Sequence, residues 1–594
     1  MTPRLRRAGV AVVALALIGS TAATSAPAQG AAPAGTSPAT VAARRVNTAA
    51  VPTPKLDWYP CLQKAQCTTV KVPLDYDEPA GATVELALLK LKARRPAKRV
   101  GTLFVNPGGP GASATEFAYN SDFILSPSLR NRFDIVGMDP RGIGFSDNVQ
   151  CFPSLREQEP AMAGYGKAFP TTPAAEQAWR RSDRAVGGAC SQNALARSMS
   201  TAEVARDMEL MRRAVGDSKL SYLGFSYGTY LGQVYAAMFP RRVRAIAVDG
   251  VLDPVAWAGS SQTFQQPLEQ RLQSSQGAWK ALREILRRCD QVGGSRCVFA
   301  PGDPVANLAL IAERLRAHPL TETDPWDGEV YTFDYSDLVG TLLGTLYDPA
   351  GYEWIADMLS QLIIATEPPN PGAKASDAQS RRREAALSDF AKLRRQLADL
   401  ADRPRFGASR AATGFGFPYD NSLDAFASVT CTDSREDTRS TDYPAYAALA
   451  DRDAPYFGRP WTWGSSVCAS DAFTGNDEDA YSGPFNVRTA APVLFVGNYY
   501  DPATNYAGAV SASRRLPGSR LLRSNSWGHT AYGTSSCVTS AVDQYLVRKK
   551  LPARRKVCLG DIQPFDSSFG ELRLNERRQR ALSAKLNPPP GTFH

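Results

Sequence analysis

Histidine is almost missing from this chain: 594 residues hold three, His318, His529 and His594. A zinc centre built on imidazole has few ligands to draw on, and no C-x-x-C pair supplies thiolates instead. No apolar run is long enough to span a bilayer. No G-K-[ST] closes any glycine-rich segment, so the nucleotide-binding loop is absent as well. Like charges are not blocked. The formal net charge is +10, from 68 Lys and Arg against 58 Asp and Glu, and the two signs are interspersed. A solvated surface accounts for that pattern. Nucleic acid is therefore not expected as a partner, and no motif asks for it.

What is present begins with an export signal. Arg4, Arg6 and Arg7 precede the short apolar stretch Ala8–Ile18, and Ala26-Pro27-Ala28 fits an A-x-A cleavage site. Residues 1–28 are read as a signal peptide, and residues 29–56, rich in Ala, Pro and Thr, as a linker or propeptide. Losing the three arginines would leave a mature charge of roughly +7. Ten cysteines in an exported chain point to disulfides. Nearest-neighbour pairing would join Cys61 to Cys67, Cys151 to Cys190, Cys289 to Cys297, Cys431 to Cys468 and Cys537 to Cys558. Other connectivities, or free thiols in a reducing compartment, remain open on sequence alone.

A hydrophobic fraction of 43% marks a globular chain, and its length calls for more than one structural unit. Thr68–Leu74 and Thr83–Leu91 alternate around Pro79-Ala80-Gly81, as a hairpin does. Val100–Val105, Phe133–Met138, Leu220–Leu223 and Val243–Val248 are short apolar runs suited to a buried, mostly parallel sheet. Helical periods over Ala202–Val215 and Tyr230–Phe239 alternate with them, which indicates an α/β core. From Pro254 to Phe485 the text turns helical, with Leu268–Arg288, Val305–Ala317, Leu338–Leu346, Trp354–Ile364 and Arg381–Ala401 all in helical period. A Pro-rich break stands at 368–371. Strands resume at Pro492–Gly497 and Arg520–Arg523. The expected organisation is a core over 57–253 and 486–560, a helical cap over 254–485, and a tail over 561–594.

Between strand Leu220–Leu223 and the helix that follows lies Gly224-Phe225-Ser226-Tyr227-Gly228, a G-x-S-x-G. In that context the pattern means a nucleophile elbow, a tight turn that exposes the serine hydroxyl. The flanking glycines leave room for the neighbouring strand and helix. A serine hydroxyl needs a base, and His529 is the well-placed histidine, in a glycine-flanked loop after the last strand. His318 ends a cap helix, and His594 is the final residue. The acid that orients the base is Asp501, after the strand Val493–Gly497, with Asp249, after the elbow's neighbouring strand, as its rival. An oxyanion would be met by the backbone N–H of Tyr227 and of Gly109, in the loop Asn106-Pro107-Gly108-Gly109-Pro110-Gly111. Asp139 and Arg141, in Asp139–Ser146, read as braces for their loop, and Ser146 as a poor rival nucleophile.

In this order the segments N-P-G-G-P-G (Asn106–Gly111), D-P-R-G-x-G-x-S (Asp139–Ser146), Y-L-G-F-S-Y-G-T-Y-L-G (Tyr222–Gly232), Asp501-Pro502-Ala503-Thr504 and Gly528-His529 resemble the secreted tripeptidyl aminopeptidases of actinomycetes, prolyl-iminopeptidase-like α/β-hydrolases. The resemblance implies an α/β-hydrolase fold with a large, mainly helical cap inserted before the last strands. It also implies a Ser226/Asp501/His529 triad and an exported enzyme that removes short peptides, tripeptides among them, from free N-termini. A free amine calls for carboxylates facing the site. Asp433, in a segment similar to part of the family's cap, and Glu116, after the glycine loop, are the candidates. The same triad would also serve a carboxylesterase or an endopeptidase, and an idle hydrolase fold could serve as a binding protein. Peptides or proteins are the expected partners, and no cofactor or metal is expected. The oligomeric state cannot be read.

Overall fold

The chain enters its main sheet as the alternation foretold, through antiparallel strands. Tyr59–Cys61 (β1) pairs with Ala65–Pro73 (β2), and β2 pairs with Thr83–Leu91 (β3), with Val70 opposite Leu86. Gly101–Asn106 (β4), Phe133–Met138 (β5), Leu220–Phe225 (β6) and Val243–Asp249 (β7) follow. Every residue of β4 and β6 is buried, as strands covered on both faces must be. A small antiparallel pair, Leu320–Thr323 (β8) and Val330–Phe333 (β9), stands apart among the helices. The main sheet resumes with Val493–Tyr500 (β10), Arg520–Trp527 (β11) and Val557–Leu559 (β12). Its order is β1-β2-β3-β5-β4-β6-β7-β10-β11-β12, parallel from β5 onward. This computed structural model describes residues 48–323, 330–368, 377–402 and 418–566. The signal read at 1–28, most of the 29–56 linker, the Pro-rich break beyond 368, the tail beyond 566 and His594 lie outside the described residues.

Because side chains alternate along a strand, each strand feeds two apolar layers. Leu103, Val105 and Leu223 meet Phe117, Leu129, Val538 and Val542 on one face. Phe104, Tyr222 and Ile246 meet Met208, Met211, Leu231 and Val234 on the other. Those last four belong to helices Thr201–Ala214 and Tyr227–Met238, which embrace the elbow strand. The sheet thus carries its strand ends, where loops begin, to one rim.

Between β7 and β10 the helices build a core of their own. Ser274–Val292, Pro304–Ala317, Tyr335–Leu346 and Gly351–Ala365 pack through Leu282, Ile311, Leu342 and Leu359. One expectation needs correcting here. The single helix read over Leu268–Arg288 is two, Leu268–Leu272 and Ser274–Val292, broken at Gln273 with φ 58°. Periodicity could not show the break, because tertiary contacts impose it. Asn505 Nδ2 donates to Gln273 O at 2.8 Å, and a Cβ at Gly277 would lie 2.7 Å from Asp501 O.

Five disulfides join the neighbouring cysteines: Cys61–Cys67, Cys151–Cys190, Cys289–Cys297, Cys431–Cys468 and Cys537–Cys558. Asp424 lies beside Cys151 and Cys190, but both sulfurs are committed to their disulfide, so the trio is no metal centre. Among the described residues no helix is long and apolar enough to cross a membrane.

Candidate active site

The elbow is a forced conformation held from several sides. Ser226 has φ 54° and ψ −128°, a region a side chain enters at a cost of about 1–3 kcal/mol. Its N–H donates to Asp249 O at 3.0 Å, and its carbonyl accepts from Thr229 N at 2.8 Å. A Cβ at Gly224 would lie 2.4 Å from Gly228 O, and one at Gly228 would lie 2.7 Å from Asn106 Oδ1. Only glycine permits both approaches. The Tyr222 hydroxyl closes the turn by donating to Gly228 O at 2.7 Å.

The glycine loop after β4 lies directly against this turn. A Cβ at Gly108 would fall 2.8 Å from Ser226 Cβ and 2.9 Å from Tyr227 N. The Gly108 N–H is already spent on Asn106 Oδ1 at 2.9 Å. Among the described residues, no hydrogen bond occupies the backbone N–H of Gly109 or of Tyr227. Tyr227 opens its helix, so its N–H has no intrahelical partner and adds the positive end of the helix dipole. Two donors beside Ser226 are what a developing oxyanion requires.

His529 follows β11 in a loop that the structure pins at both ends. Its N–H donates to Tyr347 O at 3.0 Å, and the Tyr347 ring meets the imidazole edge-on at 5.2 Å. Nδ1 lies 2.9 Å and 3.0 Å from the two oxygens of Asp501. With Nδ1 donating there, Nε2 is the acceptor nitrogen; it is closed to solvent and carries no hydrogen bond. A Cβ at Gly250, next to the Asp249 carbonyl that holds Ser226, would lie 3.0 Å from His529 Cε1. Ser226 and His529 therefore share one wall. No hydrogen bond joins them here, and such contacts commonly tighten only when substrate binds.

Asp501 is held by N–H groups of Ala503 and Thr504 at 2.9 Å each and of Thr530 at 3.1 Å. Burial alone would raise its carboxyl. The His529 charge and hydrogen bond, with the Thr504 and Ala503 N–H groups, outweigh burial and keep it below the usual carboxylate value. Its rival Asp249 takes another task. Asp249 Oδ2 accepts from Ala531 N at 2.9 Å and Tyr532 N at 2.7 Å, bracing the His529 loop from beneath. Burial pushes the Asp249 carboxyl up to about 6, against those two N–H groups, with the Asp501 charge adding to the rise. The two carboxylates are thus separated in role by what each one touches.

Asp433 is fully engaged inside the fold. Its Oδ1 accepts from Thr201 N at 2.7 Å, and its Oδ2 from Thr201 Oγ1 at 2.6 Å and Trp257 Nε1 at 3.2 Å. Thr201 Oγ1 also bonds the Tyr227 hydroxyl. Asp433, named above as a candidate for the substrate amine, thus reaches the Tyr227 hydroxyl through Thr201. Glu116 is half-buried in the first turn of Ala114–Tyr119, where an acid complements the helix N-terminus. Asp139 accepts from Ser113 Oγ, Thr115 N, Thr115 Oγ1 and Phe145 N, tying the glycine-loop helix to the next loop. Arg141 forks onto both oxygens of Asp207 and caps the carbonyls of Pro73, Leu74 and Ser198. Ser146 is buried between Asp139 O and Ala87 N. Tyr347 and Gly250 adjoin His529 without having stood in any motif, and Asp249, weighed above as the rival acid, braces the His529 loop.

Across the fold several acids are buried without full compensation. Burial lifts Asp433, Asp183 and Glu436 to about 7 and Asp477 to about 6, alongside Asp249. The folded chain keeps protons that the unfolded chain, with ordinary carboxyls, has released above about pH 4. Their stabilisation is complete below that pH and is lost as pH rises through 6 to 7. The melting temperature at constant ionic strength should accordingly be lower at pH 8 than at pH 5. A higher one at pH 8 would contradict these assignments.

The comparisons with known proteins agree with the architecture. Residues 101–293 match the family model described as alpha/beta hydrolase fold, and residues 454–558 match the one described as TAP-like protein. The tripeptidyl aminopeptidase of Streptomyces lividans is 29% identical over 543 residues, 89% of this chain and 90% of its own length. Serine protease Hip1 of Mycobacterium bovis is 28% identical over 527 residues, 85% of this chain and 91% of its own length. Carboxylesterase B of Mycobacterium tuberculosis is 29% identical over 530 residues, 86% of this chain and 91% of its own length.

Proposed function

We propose that this serine peptidase, which belongs to the tripeptidyl aminopeptidase-like α/β hydrolases, is exported and removes short peptides, tripeptides foremost, from free N-termini. The observation that carries the chemistry is the His529 ring, with Nδ1 on Asp501 and Nε2 unbonded beside the elbow. Ser226 Oγ attacks the scissile carbonyl carbon while Nε2 takes its proton. Asp501 stabilises the imidazolium, and the N–H groups of Gly109 and Tyr227 hold the oxyanion. His529 then returns the proton to the leaving amine, and water releases the acyl group by the same route. We assign 254–485 as the cap over this site. Export is supported by the five disulfides and by the signal-like first residues.

The exopeptidase reading rests on kinship with tripeptidyl aminopeptidases over nearly the whole chain. Kinship with a carboxylesterase at the same identity supports a second reading on the same machinery. A peptide presented with its amine free and with it acetylated separates them. The proposal expects tripeptides from the free form and little from the acetylated one. Equal cleavage of both, or hydrolysis of simple esters alone, would overturn it.

A further inference from the structure

Interspersion along the chain as a whole conceals a local excess of one sign. Residues 502–560 hold ten Lys and Arg against one acid, Asp543, so most of the formal net charge of +10 lies there. Residues 86–115 hold six Lys and Arg and no acid, and residues 218–248 hold four and none. The fold brings the three stretches to one end of the sheet. Strands β4, β5, β6, β7, β10, β11 and β12 are parallel, so their first residues line one end and their last residues the other. Ser226, Asp501 and His529 follow the last residues of β6, β10 and β11. At the opposite end Arg99 leads into β4, Lys219 into β6, Arg242 into β7 and Lys556 into β12, all exposed.

Some of these charges have local duties. Arg99 pairs with Asp134 at 2.7 Å, and Arg548 ends a helix, where a cation answers the dipole. The loop 550–556 has no such account. Its four cations, Lys550, Arg554, Arg555 and Lys556, are exposed, and none is in an ion pair among the described residues. The Arg520 guanidinium holds the loop to the sheet by donating to Pro552 O. Burial, and after it the Arg554 charge, keep that guanidinium below its usual value. Crowded, unpaired cations favour an anionic counter-surface.

The breadth of this end says what kind of surface. Seven strands about 4.8 Å apart make it about 29 Å wide, too broad for a small ligand. Apolar side chains stand exposed at both of its edges. Phe123, 73% exposed, adjoins Asp122, which pairs with Arg94 and Arg130 ahead of β5. Val557, 49% exposed, opens β12. Cations flanked by exposed apolar side chains suit a lipid interface, while a hydrophilic polyanion would leave the apolar pair in water.

We propose that the end of the sheet opposite the catalytic rim docks on an anionic lipid bilayer, with the loops 550–556 and 92–99 on its phosphate headgroups. The catalytic rim then faces away, open to soluble substrate.

The test is cosedimentation of the whole protein with vesicles of phosphatidylcholine alone and of phosphatidylcholine with phosphatidylglycerol. Binding should require phosphatidylglycerol and weaken as salt rises. Each cation near such a surface adds about fivefold to partitioning, so Lys550→Gln, Arg554→Gln and Lys556→Gln together should lower it about 100-fold. Lys92→Gln, Arg95→Gln and Lys98→Gln, toward the other edge, should lower it too, and they carry the test if the first variant does not fold. Three cations neutralised elsewhere, Arg435→Gln, Arg439→Gln and Arg452→Gln, should leave it unchanged. Labelling of Ser226 by a fluorophosphonate should be as fast on the vesicles as in solution. Equal binding to both vesicles, an equal loss in the last variant, or no binding to phosphatidylglycerol vesicles, whether or not heparin captures the protein, would overturn the proposal. Blocked labelling would put the wrong face on the bilayer.

Discussion

Ser226→Ala should lower kcat/KM on a free-amine peptide anilide by on the order of 10⁵-fold, with the fold intact. The size follows from what the hydroxyl does: without it no acyl-enzyme can form, and only the oxyanion donors and substrate positioning remain. Alanine can replace serine here because the positive φ is enforced by the surroundings and not by the hydroxyl. Ser226 Oγ has no hydrogen-bond partner among the described residues, so its loss leaves no buried group unpaired. Kinetics checked against melting temperature would decide the matter. An activity loss of less than tenfold would remove Ser226 from the reaction.

Asp501→Asn should cost on the order of 10⁴-fold in kcat near neutral pH. Asp501 Oδ1 accepts two N–H groups, from Ala503 and Thr504, so the asparagine oxygen will stay there. Its amide nitrogen then faces His529 Nδ1 as a donor. The imidazole must answer with the tautomer whose Nε2 carries hydrogen, and that nitrogen can no longer take the Ser226 proton. The negative charge that steadies the imidazolium is lost as well. Asp249→Asn makes the contrast, since it keeps an acceptor for Ala531 N and Tyr532 N and touches no reacting atom. Its loss of kcat should be far smaller than that of Asp501→Asn. Equal losses would mean that the two carboxylates had been assigned to the wrong tasks.

The parts of the site that could be read in advance are those whose chemistry is local. Ser226 stood in a five-residue pattern between a strand and a helix, and Gly224 and Gly228 were legible because close approach leaves them no side chain. His529 was singled out by scarcity and by its place after the last strand. The choice between Asp501 and Asp249 was only a matter of order along the chain, because both end parallel strands at one rim. What separates them is which one meets Nδ1, and that is a contact across the loop. The engagement of Asp433 inside the fold is not legible in the sequence because its partners, Thr201 and Trp257, are remote along the chain. A charged residue in a helix reads as exposed until its neighbours are known. The break at Gln273 was invisible for the same reason, since the period on both sides is helical and packing against Asp501 imposes the kink. The sheet was legible as far as its buried strands went, while the edge strands β1 and β12, three residues each, carry too short a pattern.

The account turns on Ser226 being a nucleophile activated by His529. Reaction of the intact protein with a fluorophosphonate, followed by digestion and mass mapping, tests this most directly. One adduct per chain on Ser226, abolished in His529→Ala, is the predicted result. An unlabelled chain, or an adduct on another serine such as Ser146, would contradict it.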